Sequence, residues 1–191
     1  MSRTNDGQGA ADTLPARARE PHPRGSGVSG ASLNRRDFFA VIVGRLRESL
    51  PPDVARFQVG ANSMLLKIHY GNERIHFEVW PDNARGHVEI GLHFEDGPAS
   101  TAAYLAFFDA RIVEIKHHLG AGVELERWTL SWGHLFEIVA LQRLDHAFAR
   151  VVADRLARQI AHLQPMVVEA AIPPEVRERG PVPRRWRGRG R

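Results

Sequence analysis

The sequence predicts an α+β fold: a single domain in which an antiparallel β-meander is packed by helices. Three observations carry that expectation. Apolar and polar residues alternate through residues 64–95, the period of a strand with one buried face. Apolar residues at helical spacing flank that stretch on both sides. The composition also changes abruptly near residues 32 and 173. Residues 1–31 are rich in Gly, Ser, Pro, Ala, Asp and Arg, and residues 173–191 in Pro, Arg and Gly, so both are expected to be disordered tails around a globular 32–172.

Asn34 is placed to cap a helix, with Asp37 three positions on. Phe38, Phe39, Val41, Ile42, Leu46 and Leu50 follow at helical spacing, so an amphipathic helix is expected over 35–50, stopped by Pro51-Pro52. A strand over 63–70 comes next, then a two-residue turn at Gly71-Asn72. That turn would pair Ile68 with Ile75, Leu66 with Phe77, Lys67 with His76 and Leu65 with Glu78. A second turn at 81–86 would pair Trp80 with His87, which sets Glu78 opposite Glu89. One face then collects Met64, Leu66, Ile68, Ile75, Phe77, Val79, Val88, Ile90, Leu92 and Phe94, a core that helices must cover.

Asp96-Gly97-Pro98 breaks the sheet, and Ser100 would cap a second helix running to Leu119 and closed by Gly120. A strand follows over 123–132, and Gly133 permits a bulge or a turn into a further strand over 134–141. Asp145 would cap a third helix ending near Pro165. The predicted order is α-β-β-β-α-β-(β)-α.

Composition removes several function classes. With no cysteine there is no disulfide, thiolate metal site or cysteine nucleophile. No apolar run reaches the roughly 18 residues of a membrane span, and no signal-peptide core is present, so a soluble cytoplasmic protein without membrane partners is expected. The formal charge of +4 is unevenly spread. Residues 174–191 hold seven arginines against Glu175 and Glu178, leaving the globular part mildly acidic and unlike a phosphate-binding surface. No phosphate loop, nucleophile elbow or zinc-protease motif occurs.

In element order alone, residues 32–170 resemble two known arrangements. One is the α-β-β-β-α-β core of restriction-endonuclease-like nucleases. The other is the α-β-β-β-α-β-β-α arrangement of type III secretion chaperones and their relatives. The nuclease resemblance implies that carboxylates on the second and third strands hold a divalent metal, which activates water and neutralises a transferring phosphate. Glu78 and Glu89 are the residues so placed. That family continues its third-strand acid as Glu-x-Lys. Here the sequence reads Glu89-Ile90-Gly91, which leaves Lys67 as the lysine to substitute.

Candidate surfaces follow from these placements. The polar sheet face carries Lys67, His69, Arg74, His76, Glu78, His87, Glu89, His93 and Glu95. Its catalytic candidates are Glu78, Glu89 and Lys67, and its metal-ligating candidates are His76, Glu78, Glu89 and His93. The ordinary alternative is a solvated face of mixed charge, the usual outer side of an antiparallel sheet. Trp80, Trp128 and Trp132 form an aromatic candidate for holding a partner's apolar anchor. In the tail, Arg184, Arg185, Trp186, Arg187, Arg189 and Arg191 suit weak, salt-dependent nucleic-acid binding by charge and stacking.

The function expected from these features is a non-enzymatic interaction module, binding a protein partner or its own copy without a cofactor. The alternatives are a divalent-metal-dependent phosphodiesterase and nucleic-acid association through the tail.

Overall fold

The first helix begins at its sequence-encoded cap. In the computed structural model, which describes residues 31–174, the Asp37 N–H donates to Asn34 Oδ1 at 3.0 Å and the Asn34 amide donates to Asp37 Oδ2 at 2.8 Å. This reciprocal cap satisfies donors the helix itself cannot and starts α1, Arg35–Ser49. Phe38, Phe39, Ile42 and Leu46 form its buried stripe, and Leu50 is extended ahead of Pro51.

Six strands follow: β1 Gln58–Ala61, β2 Leu66–His69, β3 Ile75–Asp82, β4 His87–Phe94, β5 Glu124–Arg127 and β6 Gly133–Ala140. They form one sheet in the order β1-β2-β3-β4-β6-β5, with every neighbouring pair antiparallel. The short edge strand β1 has no counterpart in the sequence expectation, because Gln58-Val59-Gly60-Ala61 is neither alternating nor β-branched enough to signal one. The strand expected after Gly133 is present as β6, and the observed order differs from the expected one by the added β1 and the divided middle helix.

Both meander registers differ from expectation by two residues. Ile68 pairs with Phe77 and Leu66 with Val79; Ile75 pairs with Phe94 and Val79 with Ile90. The first turn is longer than Gly71-Asn72 alone: Gly71 takes φ +94°, and the Ile75 N–H donates to Asn72 O at 3.1 Å. In the second, Pro81 and Asp82 stay in the strand, and Asp82 Oδ1 accepts from the N–H groups of Ala84 and Arg85, closing a turn that ends at Gly86 with φ +70°. A two-residue shift preserves which face each side chain occupies. The predicted apolar face is therefore the core, apart from Met64, which lies outside the strands and is exposed.

The expected second helix is two, α2 Pro98–Asp109 and α3 Ile112–Leu119, broken at Ala110-Arg111. Its start is set by Gly97 at φ +96° with Pro98 in the first turn, not by Ser100. The last helix, α4 His146–Ala170, passes through Pro165. Pro165 is on the exposed side while Leu163 and Met166 are buried, so continued packing outweighs the lost hydrogen bond. Phe38 of α1 lies against Phe148 of α4, and Phe94 of β4 stacks between Tyr104 and Phe108 of α2, at 5.0 and 5.4 Å. The helices thus share the apolar face of the sheet. No helix among the described residues is long and apolar enough to cross a membrane.

Candidate functional site

The register arranges the polar face in rows. Gln58 pairs with His69, His69 with His76, His76 with His93, His93 with His134, and His134 with Glu126. Directly paired residues share a face with Cβ atoms roughly 5 Å apart, so four imidazoles on β2, β3, β4 and β6 form one line across the sheet. The His76 and His93 rings stack at 5.5 Å, and His93 meets His134 edge-on at 5.2 Å. The neighbouring row is Gly60, Lys67, Glu78, Gly91, Phe136 and Glu124, and beyond it lie Trp80, Glu89 and Ile138.

This face is not the solvated surface that alternation alone suggests. His76 is fully buried, and Glu78, Glu89, His93 and His134 are each 6% exposed or less. Aromatic neighbours shield them: Phe136 stacks on His134 at 4.1 Å, and Trp128 lies 4.7 Å from His134 and 6.3 Å from His93.

Two carboxylates take separate partners here. Glu89 Oε1 accepts a hydrogen bond from His134 Nδ1 at 3.0 Å. His93 Nε2 is 3.3 Å from the same oxygen but outside hydrogen-bonding geometry. Burial pushes the Glu89 carboxyl up, but His134 and His93 outweigh it and hold the group down at about 2, so it is anionic at ordinary pH. Glu78 Oε2 lies 3.3 Å from His76 Nε2 and 3.7 Å from Lys67 Nζ. Burial opposes its ionisation too, yet the His76 bond, with His93 and Lys67 nearby, leaves its carboxyl below the usual range. Burial lowers the His76 imidazole more than its bond to Glu78 raises it, so that ring is held neutral. Four buried ring nitrogens of this row, His69 Nδ1, His76 Nδ1, His93 Nε2 and His134 Nε2, have no hydrogen-bond partner among the described residues. Each such group costs about 1–3 kcal/mol if left unmade.

These placements correct the expected site. Glu78 faces Gly91 and Glu89 faces Trp80, so the two carboxylates are not opposite one another. No set of three clustered ligating side chains among the described residues contains both. Lys67 serves Glu78 and Glu95, the latter at 3.3 Å, and not Glu89. His76, Glu89 and His93 are brought into candidate metal clusters and Glu78 is not; the clusters are Glu89 with His93 and His134, His76 with His93 and Glu95, and Glu114 with His118 and His162.

His134 is the functional candidate that sequence reasoning misses. Its signal is parity: once Gly133 opens a strand antiparallel to β4, His134 must share a face with His93. Trp80 is on the polar face as expected, but Trp128 and Trp132 are not on a strand face; they bound the β5–β6 turn. The arginines of the tail and Trp186 lie outside the described residues. No family model matches this chain, and no curated protein matches it.

Proposed function

We propose that this chain is a non-enzymatic protein-binding module whose contact surface is the tip of the β5–β6 hairpin. The observation that supports this reading is the exposure of three large apolar side chains within five residues: Trp128 at 47%, Leu130 at 74% and Trp132 at 47%. One side of Trp128 packs on His134, yet about half of each indole and most of Leu130 stay in water, and grouped exposed aromatics are the residue types that anchor binding energy. The turn is also tied by hydrogen bonds. Trp128 and Thr129 N–H groups both donate to Trp132 O, at 2.9 and 3.0 Å, and the buried Thr101 hydroxyl of α2 donates to Ser131 O at 2.8 Å. A preorganised surface loses little entropy on binding. Glu126 stands two residues before Trp128 with its side chain 56% exposed, and Glu124, paired with Lys116 at 3.5 Å, lies farther along β5. The occupant that fits is a polypeptide segment presenting an apolar or aromatic anchor next to Arg or Lys, which can also lie over the indole faces.

Selection of phage-displayed peptides on the full chain, with the double variant Trp128→Ser/Trp132→Ser as comparison, tests this. Enriched peptides should pair an aromatic or aliphatic residue with a basic one, and binding should weaken roughly 30-fold in the variant, the scale of one aromatic anchor. If the variant selects the same peptides with the same affinity, the surface is misassigned. Residues 184–187, Arg-Arg-Trp-Arg, have the required chemistry themselves. Light scattering on the wild-type and variant chains therefore reports whether a second copy is the occupant.

A further inference from the structure

We infer that Glu89, His93 and His134 form a binding site for one divalent transition metal of the zinc class. β4 carries Glu89 and His93 on one face, and β6 places His134 directly opposite His93. Four residues of strand span roughly 13 Å, yet His93 Nε2 lies 3.3 Å from Glu89 Oε1. The two side chains converge over Gly91, which occupies the same face between them and has no side chain to keep them apart. His134 Nδ1 completes the triangle at 3.0 Å from the same oxygen.

The donor atoms of all three residues lie within 4.8 Å of one another, and all three residues are buried. Around a tetrahedral ion with ligands at about 2.1 Å, adjacent donors are about 3.4 Å apart, close to the 3.3 and 3.0 Å that separate His93 Nε2 and His134 Nδ1 from Glu89 Oε1. An independent observation also points to a ligand: His93, 3% exposed, aims Nε2 at this point without a hydrogen bond among the described residues. The remaining nitrogen of His134 lies 3.6 Å from Glu126 Oε2, where a metal-bound imidazole ordinarily finds a carboxylate for its other N–H.

Two imidazoles and one carboxylate suit zinc, cobalt, nickel or copper, whereas magnesium and calcium favour all-oxygen sites. The neighbouring set of His76, His93 and Glu95 shares His93 and so competes with this one. Its Glu95 is already held by Lys67 at 3.3 Å and is the less buried carboxylate. The set on α3 and α4 is built from exposed and half-buried side chains. The inference is independent of the hairpin reading: peptide binding can fail and leave it standing.

The test is a Co²⁺ titration of the full, tag-free, chelator-stripped chain. One Co²⁺ per chain should bind with the intense visible bands of tetrahedral coordination and be displaced by Zn²⁺, with Mg²⁺ ineffective. Affinity should drop roughly 100-fold or more in His93→Gln and in His134→Gln, and about tenfold in Glu126→Gln, while His162→Gln binds as wild type. Because a buried-histidine variant can fail to fold, ring ¹⁵N shifts of the wild-type chain supply a second readout. On Zn²⁺ addition, His93 Nε2 and His134 Nδ1 should move to metal-bound values. Three results would each overturn the inference: no binding by wild type, unchanged affinity in folded His93→Gln and His134→Gln, or shifts confined to other histidines such as His118 and His162.

Discussion

Gly91 shows how much one residue depends on register. A Cβ added there would lie 2.6 Å from Leu135 O, 2.6 Å from Phe136 Cβ and 2.9 Å from Phe136 Cα. None of those atoms can rotate away, so an alanine must push β4 and β6 apart. Gly91→Ala should therefore cost about 1–3 kcal/mol of stability by urea denaturation, the range for overpacking a filled site. Gly44 is the internal control. It lies inside α1 with nothing within 4 Å of a built Cβ, so Gly44→Ala should stabilise by about 0.5–1 kcal/mol through helix propensity. An unchanged urea midpoint for Gly91→Ala would contradict the close approach of the two strands. In the sequence, Gly91 reads only as a weak strand residue where a nuclease-like pattern has lysine. Its role as the gap over which Glu89 and His93 converge becomes visible only when β6 is in place.

At the scale of elements, alternation made the faces legible and left the registers hidden. A register wrong by two residues keeps every side chain on its correct face, so no hydrophobic pattern can expose it. What decides is turn length, and the first hairpin turn is set by hydrogen bonds around Asn72 and Arg74, not by a dipeptide rule. The β5–β6 turn was illegible for a related reason: Trp128-Thr129-Leu130-Ser131-Trp132 contains no Gly or Pro and has strand-like composition, yet it bends. Caps were legible because they are local. Asp145, the expected cap of α4, accepts from the Phe148 N–H at 2.9 Å and pairs with Arg143 at 3.0 Å. The backbone bond first, and then Arg143, hold its carboxyl below the ordinary carboxylate range. With the folded pKa depressed, the unfolded chain takes up the proton first as pH falls. The charge's contribution is thus complete above the ordinary carboxylate range and disappears as pH drops through the folded value. Asp145→Asn keeps the cap's acceptor and removes the charge. Its urea midpoint should lie below that of wild type at neutral pH and meet it on acidification; a gap that widens in acid would refute this assignment.

At the scale of the whole molecule, the two layers are joined through a charged residue in an apolar position. Glu137 of β6 pairs with Ile90, which places it on the core face beneath α4, where it is 7% exposed. Two α4 residues one turn apart meet it. Arg155 Nη1 donates to Glu137 Oε2, and Gln159 Nε2 is within 3.1 Å of both Glu137 Oε1 and Ile90 O. Apolar packing alone would let α4 slide along the sheet with little penalty, whereas these bonds are made in one position only, so the network fixes the helix over β4 and β6. Removing one partner should then cost more than removing both. Arg155→Met leaves the Glu137 carboxylate buried with Gln159 alone and should cost about 2 kcal/mol. That is less than the 3–5 kcal/mol of a fully buried pair, because Arg155 is 38% exposed and water screens the charge. Adding Glu137→Leu removes the stranded charge and restores an apolar contact, while Gln159 keeps its bond to Ile90 O. The double variant should recover to within about 1 kcal/mol of wild type. A double variant no more stable than Arg155→Met alone would show that Glu137 is sufficiently solvated without its arginine, and that the layers are held by apolar packing instead.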